Sequence, residues 1–132
     1  MKKSGWLLAL TFMLVSCHES IEDKAVREAR EYTRKYCPTP TSDYARTDSV
    51  RFDKPTRTYH YYCTLSGRLD NPALMQAHRH EFHERIKQEI RQSTGIKAYK
   101  DAGFAFAYTC RSERNPKLVL YQDTFTSQDY NE

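Results

Sequence analysis

Histidine and glutamate are concentrated in one short segment, His78-Arg79-His80-Glu81-Phe82-His83. Such side chains form zinc sites and act as general bases. The segment departs from the H-E-x-x-H metalloprotease pattern, because the position of its second histidine holds Glu84. On a helix His78 and His80 point about 200° apart and cannot share a metal. His80, His83 and Glu84 have the spacing of a surface metal site, but we interpret them as a solvated helix face and predict neither a metal nor another cofactor.

A cysteine, Cys17, closes a short apolar run at the N-terminus. Met1-Lys2-Lys3 is basic, residues 6–15 are mostly apolar, and a small residue precedes the cysteine. This order is typical of a secretory signal, and Leu14-Val15-Ser16-Cys17 resembles the lipobox of bacterial lipoproteins. The resemblance implies that residues 1–16 are a cleaved signal peptide and that Cys17 is acylated. We therefore expect Cys17 to anchor the chain in a lipid bilayer, since the run is shorter than the about 20 apolar residues of a spanning helix.

The residues after Cys17 indicate which membrane holds the chain. Residue 18 is His rather than Asp, and the sorting rule known for enteric lipoproteins then predicts the outer membrane. Residues 18–23 are rather acidic and loosely resemble the surface-export signals of Bacteroides-type lipoproteins. Both a periplasmic and a surface-exposed location therefore stay open. The alternative is an ordinary cleaved signal with an unmodified Cys17, which releases the domain.

Length and charge limit the function classes. The chain of 132 residues keeps 116 after loss of residues 1–16, enough for one modest core. Its net charge of +4 falls to +2 without Lys2 and Lys3. That balance is too small to favour a nucleic-acid partner, and export argues against one further.

Three cysteines remain in the mature chain, Cys37, Cys63 and Cys110. Cys63 and Cys110 occupy similar places near the ends of two predicted strands, so in an oxidising compartment we predict that they form a disulfide. Cys37, just before Pro38, would then be free. A bridge from Cys37 to one of the strands is the alternative.

The order of the predicted elements is helix, hairpin, helix, hairpin. Ser20 caps a first helix that ends near Tyr36, and Asn71-Pro72 begins a second that runs to about Ser93. Alternating residues predict the four strands at 47–52, 57–65, 104–111 and 118–125. The α-ββ-α-ββ order predicts a single α+β domain over residues 17–132 with a short N-terminal tether. We expect two layers, with a four-stranded antiparallel or mixed sheet and two helices on one of its faces.

Aromatic and polar side chains alternate along the strand over residues 57–65. His60, Tyr62 and Thr64 share one face of that strand, and tyrosine is enriched at protein interfaces. Helices on one side of the sheet would leave these three residues as a possible binding face. The alternative is that the aromatic rings only pack against one another or against loops.

Three segments carry a wider resemblance, TYHYYCTLSGRLDN, IKAYKDAGFAFAYTCRS and LVLYQDTF. They resemble small uncharacterised lipoproteins of Bacteroides-type bacteria, in which a tyrosine-rich strand ends in T-L-S-G-x-L-D and a later strand follows Y-K-x-A-G. The resemblance covers residues 57–125 and implies no activity. Cys63 and Cys110 depart from the family pattern, which adds weight to their pairing.

We predict a non-enzymatic binding or accessory lipoprotein without catalytic residues, held against another envelope protein. One alternative is an envelope hydrolase that uses His60, His78 or His83 as its base. The other is an inhibitor or immunity-type lipoprotein, although the chain lacks an acidic protruding loop suited to a basic target.

Overall fold

The computed structural model describes residues 18–131. The predicted signal peptide and Cys17 lie outside these described residues. No helix within residues 18–131 is long and apolar enough to cross a membrane. The helices are α1 (Ile21–Tyr36), α2 (Pro72–Ala77), α3 (Arg79–Gln92), α4 (Lys97–Asp101) and α5 (Ser127–Tyr130). The strands are β1 (Ala45–Asp53), β2 (Thr58–Leu65), β3 (Ala105–Ser112) and β4 (Val119–Phe125).

The four strands form one mixed sheet in the order β1-β2-β3-β4. The outer pairs, β1 with β2 and β3 with β4, are antiparallel, whereas the central pair β2 and β3 is parallel. Helices pack on one face of this sheet. The predicted α+β class and two-layer order are therefore confirmed, and of the two sheet types left open the mixed sheet is the one observed.

Helix α1 packs beside β1, which is one of the two edge strands of the sheet. The Ser20 side chain caps its start by accepting the Asp23 N–H at 3.0 Å. Ala25 and Ala29 are fully buried and let the helix approach the sheet closely. The Thr33 hydroxyl then fixes the helix to β1, because it accepts the Val50 N–H and donates to the Val50 carbonyl, both at 3.0 Å.

The prediction of one continuous second helix is wrong. The helix breaks at His78 and forms two helices, α2 and α3. Asn71 caps the first part by accepting the Leu74 N–H, as expected. At His78 the backbone leaves the helical region, with φ −108° and ψ 17°. The break lets each part bury its own apolar residue: Met75 joins the cluster around Leu65, and Ile90 joins the main core.

Phenylalanine fills the centre of the main core. Phe104, Phe106 and Phe125 are fully buried. The Phe104 ring packs on Phe52 with a centroid separation of 4.6 Å, and Phe106 meets Tyr130 edge-on at 5.8 Å. The core therefore joins the sheet to α5 as well as to α1 and α3.

Replacing Phe106 by Ala should lower the free energy of unfolding by about 3–5 kcal/mol, because it opens a cavity in the centre of the core. Urea denaturation of the purified protein measures this loss. Leu118→Ala is the control, since that side chain is 38% exposed, and it should change stability by less than about 0.5 kcal/mol. Similar losses in both variants would contradict this placement of the core.

Candidate functional site

His60, Tyr62 and Thr64 lie on the sheet face opposite the helices. The strand register places His60 between Arg51 of β1 and Ala107 of β3. The next residue of this face, Tyr62, lies between Ser49 and Thr109. We call this surface the open face.

A groove of about 290 Å³ crosses the open face. The small side chains of Ala107 and Thr109 form its floor, while the larger rings of His60 and Tyr62 rise beside them on β2. These two rings stack at a centroid distance of 5.9 Å with 12° between their planes. The opposite wall and one end are formed by residues of β4 and by the end of β3, namely Val119, Gln122, Thr124 and Arg111.

The groove offers an aromatic wall and several hydrogen-bonding groups. The Tyr62 ring supplies contact area with a polar tip, and Thr109, Gln122 and Thr124 supply hydroxyl and amide groups. Thr64 has a different place, because it is buried and its hydroxyl donates to Asp48. Of the three residues predicted as a binding face, the structure therefore places His60 and Tyr62 in the groove wall and uses Thr64 to hold β1 against β2.

The remaining predicted histidines lie elsewhere. His78 contacts Glu81 at 3.2 Å beside a surface depression of about 310 Å³ whose wall includes Phe82 and Arg85. His80 is exposed on α3. Within residues 18–131 no group of three His, Cys, Asp or Glu side chains is arranged to hold a metal ion.

Sequence reasoning missed a polar cluster between α3 and β4. His83 Nδ1 lies 2.7 Å from an Asp123 carboxylate oxygen, and the Tyr121 hydroxyl donates to the same oxygen. The His83 ring also stacks on Phe125 at 4.8 Å. The cluster therefore joins α3 to β4 through an imidazole, a carboxylate and a phenol. Forty positions separate His83 from Asp123, and no local pattern links them.

The surroundings of Asp123 alter its acidity. Burial alone would raise the pKa of this carboxyl, but the hydrogen bonds from Tyr121 and His83 outweigh burial and lower it below the usual 3.8. The other partner of this hydrogen bond, Tyr121, shifts in the opposite direction. Burial and the bond to the Asp123 carboxylate both raise the pKa of its hydroxyl. The carboxylate form of Asp123 therefore stabilises the folded state above pH 3.8, and this contribution disappears as the pH falls through the lowered pKa.

The cysteine prediction is half right. Cys63 and Cys110 are register partners on β2 and β3, so the two strand ends do lie side by side. All three of Cys37, Cys63 and Cys110 are nevertheless free thiols, and the predicted disulfide is absent. Neighbouring strands lie about 4.7–4.9 Å apart, whereas the Cβ atoms of a disulfide must approach to about 3.5–4.5 Å, so pairing in the register does not by itself produce a bridge. The thiols share a hydrogen bond instead, which lowers the pKa of Cys63 and raises that of Cys110.

The fold and the groove define a small two-layer α+β domain that exposes one face of a mixed sheet. By its sequence over residues 20–121, the chain belongs to a family described as a domain of unknown function, DUF8479. No curated protein sequence matches it.

Three solved structures have a similar fold. A Pseudomonas aeruginosa protein described as secreted superposes with a TM-score of 0.65 at 8% identity, over 85% of this chain and 98% of that one. The pilotin of the Vibrio vulnificus type 2 secretion system gives 0.61 at 11% identity, over 83% and 90%. The type II secretion pilotin of Vibrio cholerae gives 0.58 at 11%, over 82% and 90%. At these identities the likeness shows the fold.

Replacing Asp123 by Asn should lower the free energy of unfolding at pH 7 by about 1–3 kcal/mol, because the buried hydrogen bonds of the carboxylate are weakened. Urea denaturation at pH 7, 4 and 2.5 measures this loss and its decline toward acid pH. Asp101→Asn is the control, since Asp101 is an exposed acid paired with Lys97. The interpretation fails if the two variants lose the same stability, or if the Asp123→Asn loss is independent of pH.

Proposed function

We propose that this protein is a lipid-anchored accessory protein of the cell envelope that binds a segment of another envelope protein and is not an enzyme. The observation that supports this most directly is the groove on the open face, where the stacked rings of His60 and Tyr62 stand beside a floor of small residues. Aromatic walls with hydrogen-bonding groups are typical of protein-binding surfaces.

The fold supports an accessory role of this kind. Two of the structures with a similar fold are pilotins of type II secretion systems. A pilotin-like role in a secretion system of the envelope is therefore the specific form of the proposal. We also propose that the chain resides at the outer membrane, as expected from the residue after Cys17.

The proposed anchor would orient the domain. Only three residues separate Cys17 from the start of α1, so the helix would begin within about 14 Å of the bilayer surface. The turn between β1 and β2 lies at the same end, because Lys54 pairs with Asp23 at 2.6 Å. The groove extends along β3 from this end toward Arg111 and Val119, away from the membrane. A partner could therefore reach the groove from the far side of the domain.

The two alternative functions have less support. The hydrolase hypothesis needs a histidine with a partner inside a concave site. His83 has such a partner in Asp123, but only Asp123 is among the residues that line the groove, and His83 is not. His60 lines the groove, and its ring contact there is the stack on Tyr62. The inhibitor hypothesis gains no specific observation from residues 18–131.

The anchor is tested by the intact mass of the protein taken from its native membrane. We expect added lipid mass on Cys17, and we expect Cys17→Ser to move the protein from the membrane to the soluble fraction, because acyl chains contribute about 0.8 kcal/mol per buried methylene. Cys37→Ser is the matched control and should stay in the membrane. An unmodified Cys17 would overturn the anchored form of the proposal.

The groove is tested by photo-crosslinking in cells with a reactive residue at Gln122. We expect one reproducible envelope partner, and we expect Tyr62→Ala to reduce the crosslinked product about tenfold or more, because loss of an aromatic anchor costs roughly 2 kcal/mol. Tyr32→Ala is the control, since this exposed tyrosine lies on α1 outside the groove. The same photoreactive residue placed at Gln88 of α3, outside the groove, is a second control and should give no crosslinked product. Equal yields from Gln122 and Gln88 would contradict the groove as the binding site.

A further inference from the structure

A second, shallower surface lies around the β1 edge from the groove. It is a cleft of about 700 Å³ between α1 and β1. Its residues come from two turns of α1 and from the outer strands: Arg30, Thr33, Arg34, Ser49, Val50, Arg51 and Tyr62. Tyr62 lines both the cleft and the groove, so the two surfaces adjoin.

Three arginines converge on this cleft without a carboxylate among its lining residues. Arg30 and Arg34 are one helical turn apart and project to the same side of α1, and Arg51 approaches from β1. None of the three forms an ion pair within 4 Å in the described chain. By contrast Arg27, one turn earlier on α1, is paired with Glu19 and Glu31.

The convergence of unpaired arginines has a cost. Like charges four positions apart on a helix repel each other, and within the described chain neither Arg30 nor Arg34 forms an ion pair that would offset this repulsion. Arg51 is the exception in part, because it lies near enough to the Asp53 carboxylate to interact with it electrostatically. An anion from outside would relieve the repulsion, and guanidinium groups are well suited to bind carboxylates with paired hydrogen bonds. The cleft is also preformed, because the two bonds between Thr33 and Val50 fix α1 against β1. A preformed site loses little conformational entropy on binding.

We propose that this cleft binds the carboxylate side chains of an acidic segment in a partner protein. The inference rests on the proposed function for the source of that segment, and the shared Tyr62 lets one segment occupy both groove and cleft. A protein segment fits better than the membrane that would hold the proposed anchor, because of where the cleft lies along α1. Arg34 lies about 20 Å along α1 from its first residue, at the end opposite the proposed anchor.

The test uses the purified full mature protein and a fluorescein-labelled octapeptide of alternating Glu and Ser. We expect saturable binding by fluorescence anisotropy that the triple variant Arg30→Gln, Arg34→Gln, Arg51→Gln weakens about tenfold or more. The control triple variant Arg68→Gln, Arg85→Gln, Lys117→Gln loses the same charge outside the cleft and should change affinity less than about twofold. The same peptide with Gln in place of Glu should not bind. Thermal unfolding of each variant checks that the fold is intact.

Two results would overturn the inference. Equal weakening in both triple variants would mean that only the overall charge matters. Binding to vesicles with phosphatidylglycerol, lost in the cleft variant and accompanied by no peptide binding, would make the cleft a lipid headgroup site. Because the peptide assay needs no cellular partner, it can succeed even if the crosslinking from Gln122 fails. Conversely, the cleft variant could crosslink from Gln122 as strongly as the unmodified protein. That result would support the groove as a binding site and would mean that the cleft does not contribute to binding that partner.

Discussion

The parallel pairing of β2 with β3 is the constraint on which the rest of the structure depends. Two antiparallel hairpins whose inner strands, β2 and β3, pair in parallel need a long crossover connection. The chain leaves β2 at one end of the sheet and must return to the opposite end before β3 can begin. In this protein the crossover runs from Leu65 to Ala105 and contains α2, α3 and α4. Its helices cover one face of the sheet and bury Phe106 and Phe125 there. The same pairing leaves the other face for the groove.

The edges of the sheet are held by polar contacts rather than by further strands. At β1 the Thr33 hydroxyl bonds to both backbone groups of Val50, which occupies part of an edge that would otherwise be open to another chain. At β4 the His83–Asp123 contact ties α3 to the sheet, and Arg79 donates to the Gln122 carbonyl at 2.7 Å. The arginine cleft exists because α1 is fixed at the first of these edges. Stability and the candidate binding surfaces therefore depend on the same contacts.

Much of the fold could be predicted because it depends on local patterns. Alternation predicted β2 and β3 to within one residue at each end, since a strand buried on one face must alternate. Ser20 and Asn71 predicted the starts of two helices because each side chain caps its own first turn. The placement of His60 and Tyr62 on one face followed from the same twofold period.

What only the tertiary structure decided involves residues far apart in the chain. The break at His78 arises because Met75 and Ile90 are buried in different clusters, which the helical period cannot distinguish. Cys63 and Cys110 are register partners on parallel strands and are nevertheless free thiols, because a place opposite each other in a sheet does not by itself supply the geometry of a disulfide. The sequence by itself determined the elements and the faces of the strands, because those depend on neighbours within one turn or two residues. The pairing of His83 with Asp123, the groove and the arginine cleft required the fold, because each joins side chains whose separation in sequence gives no local signal.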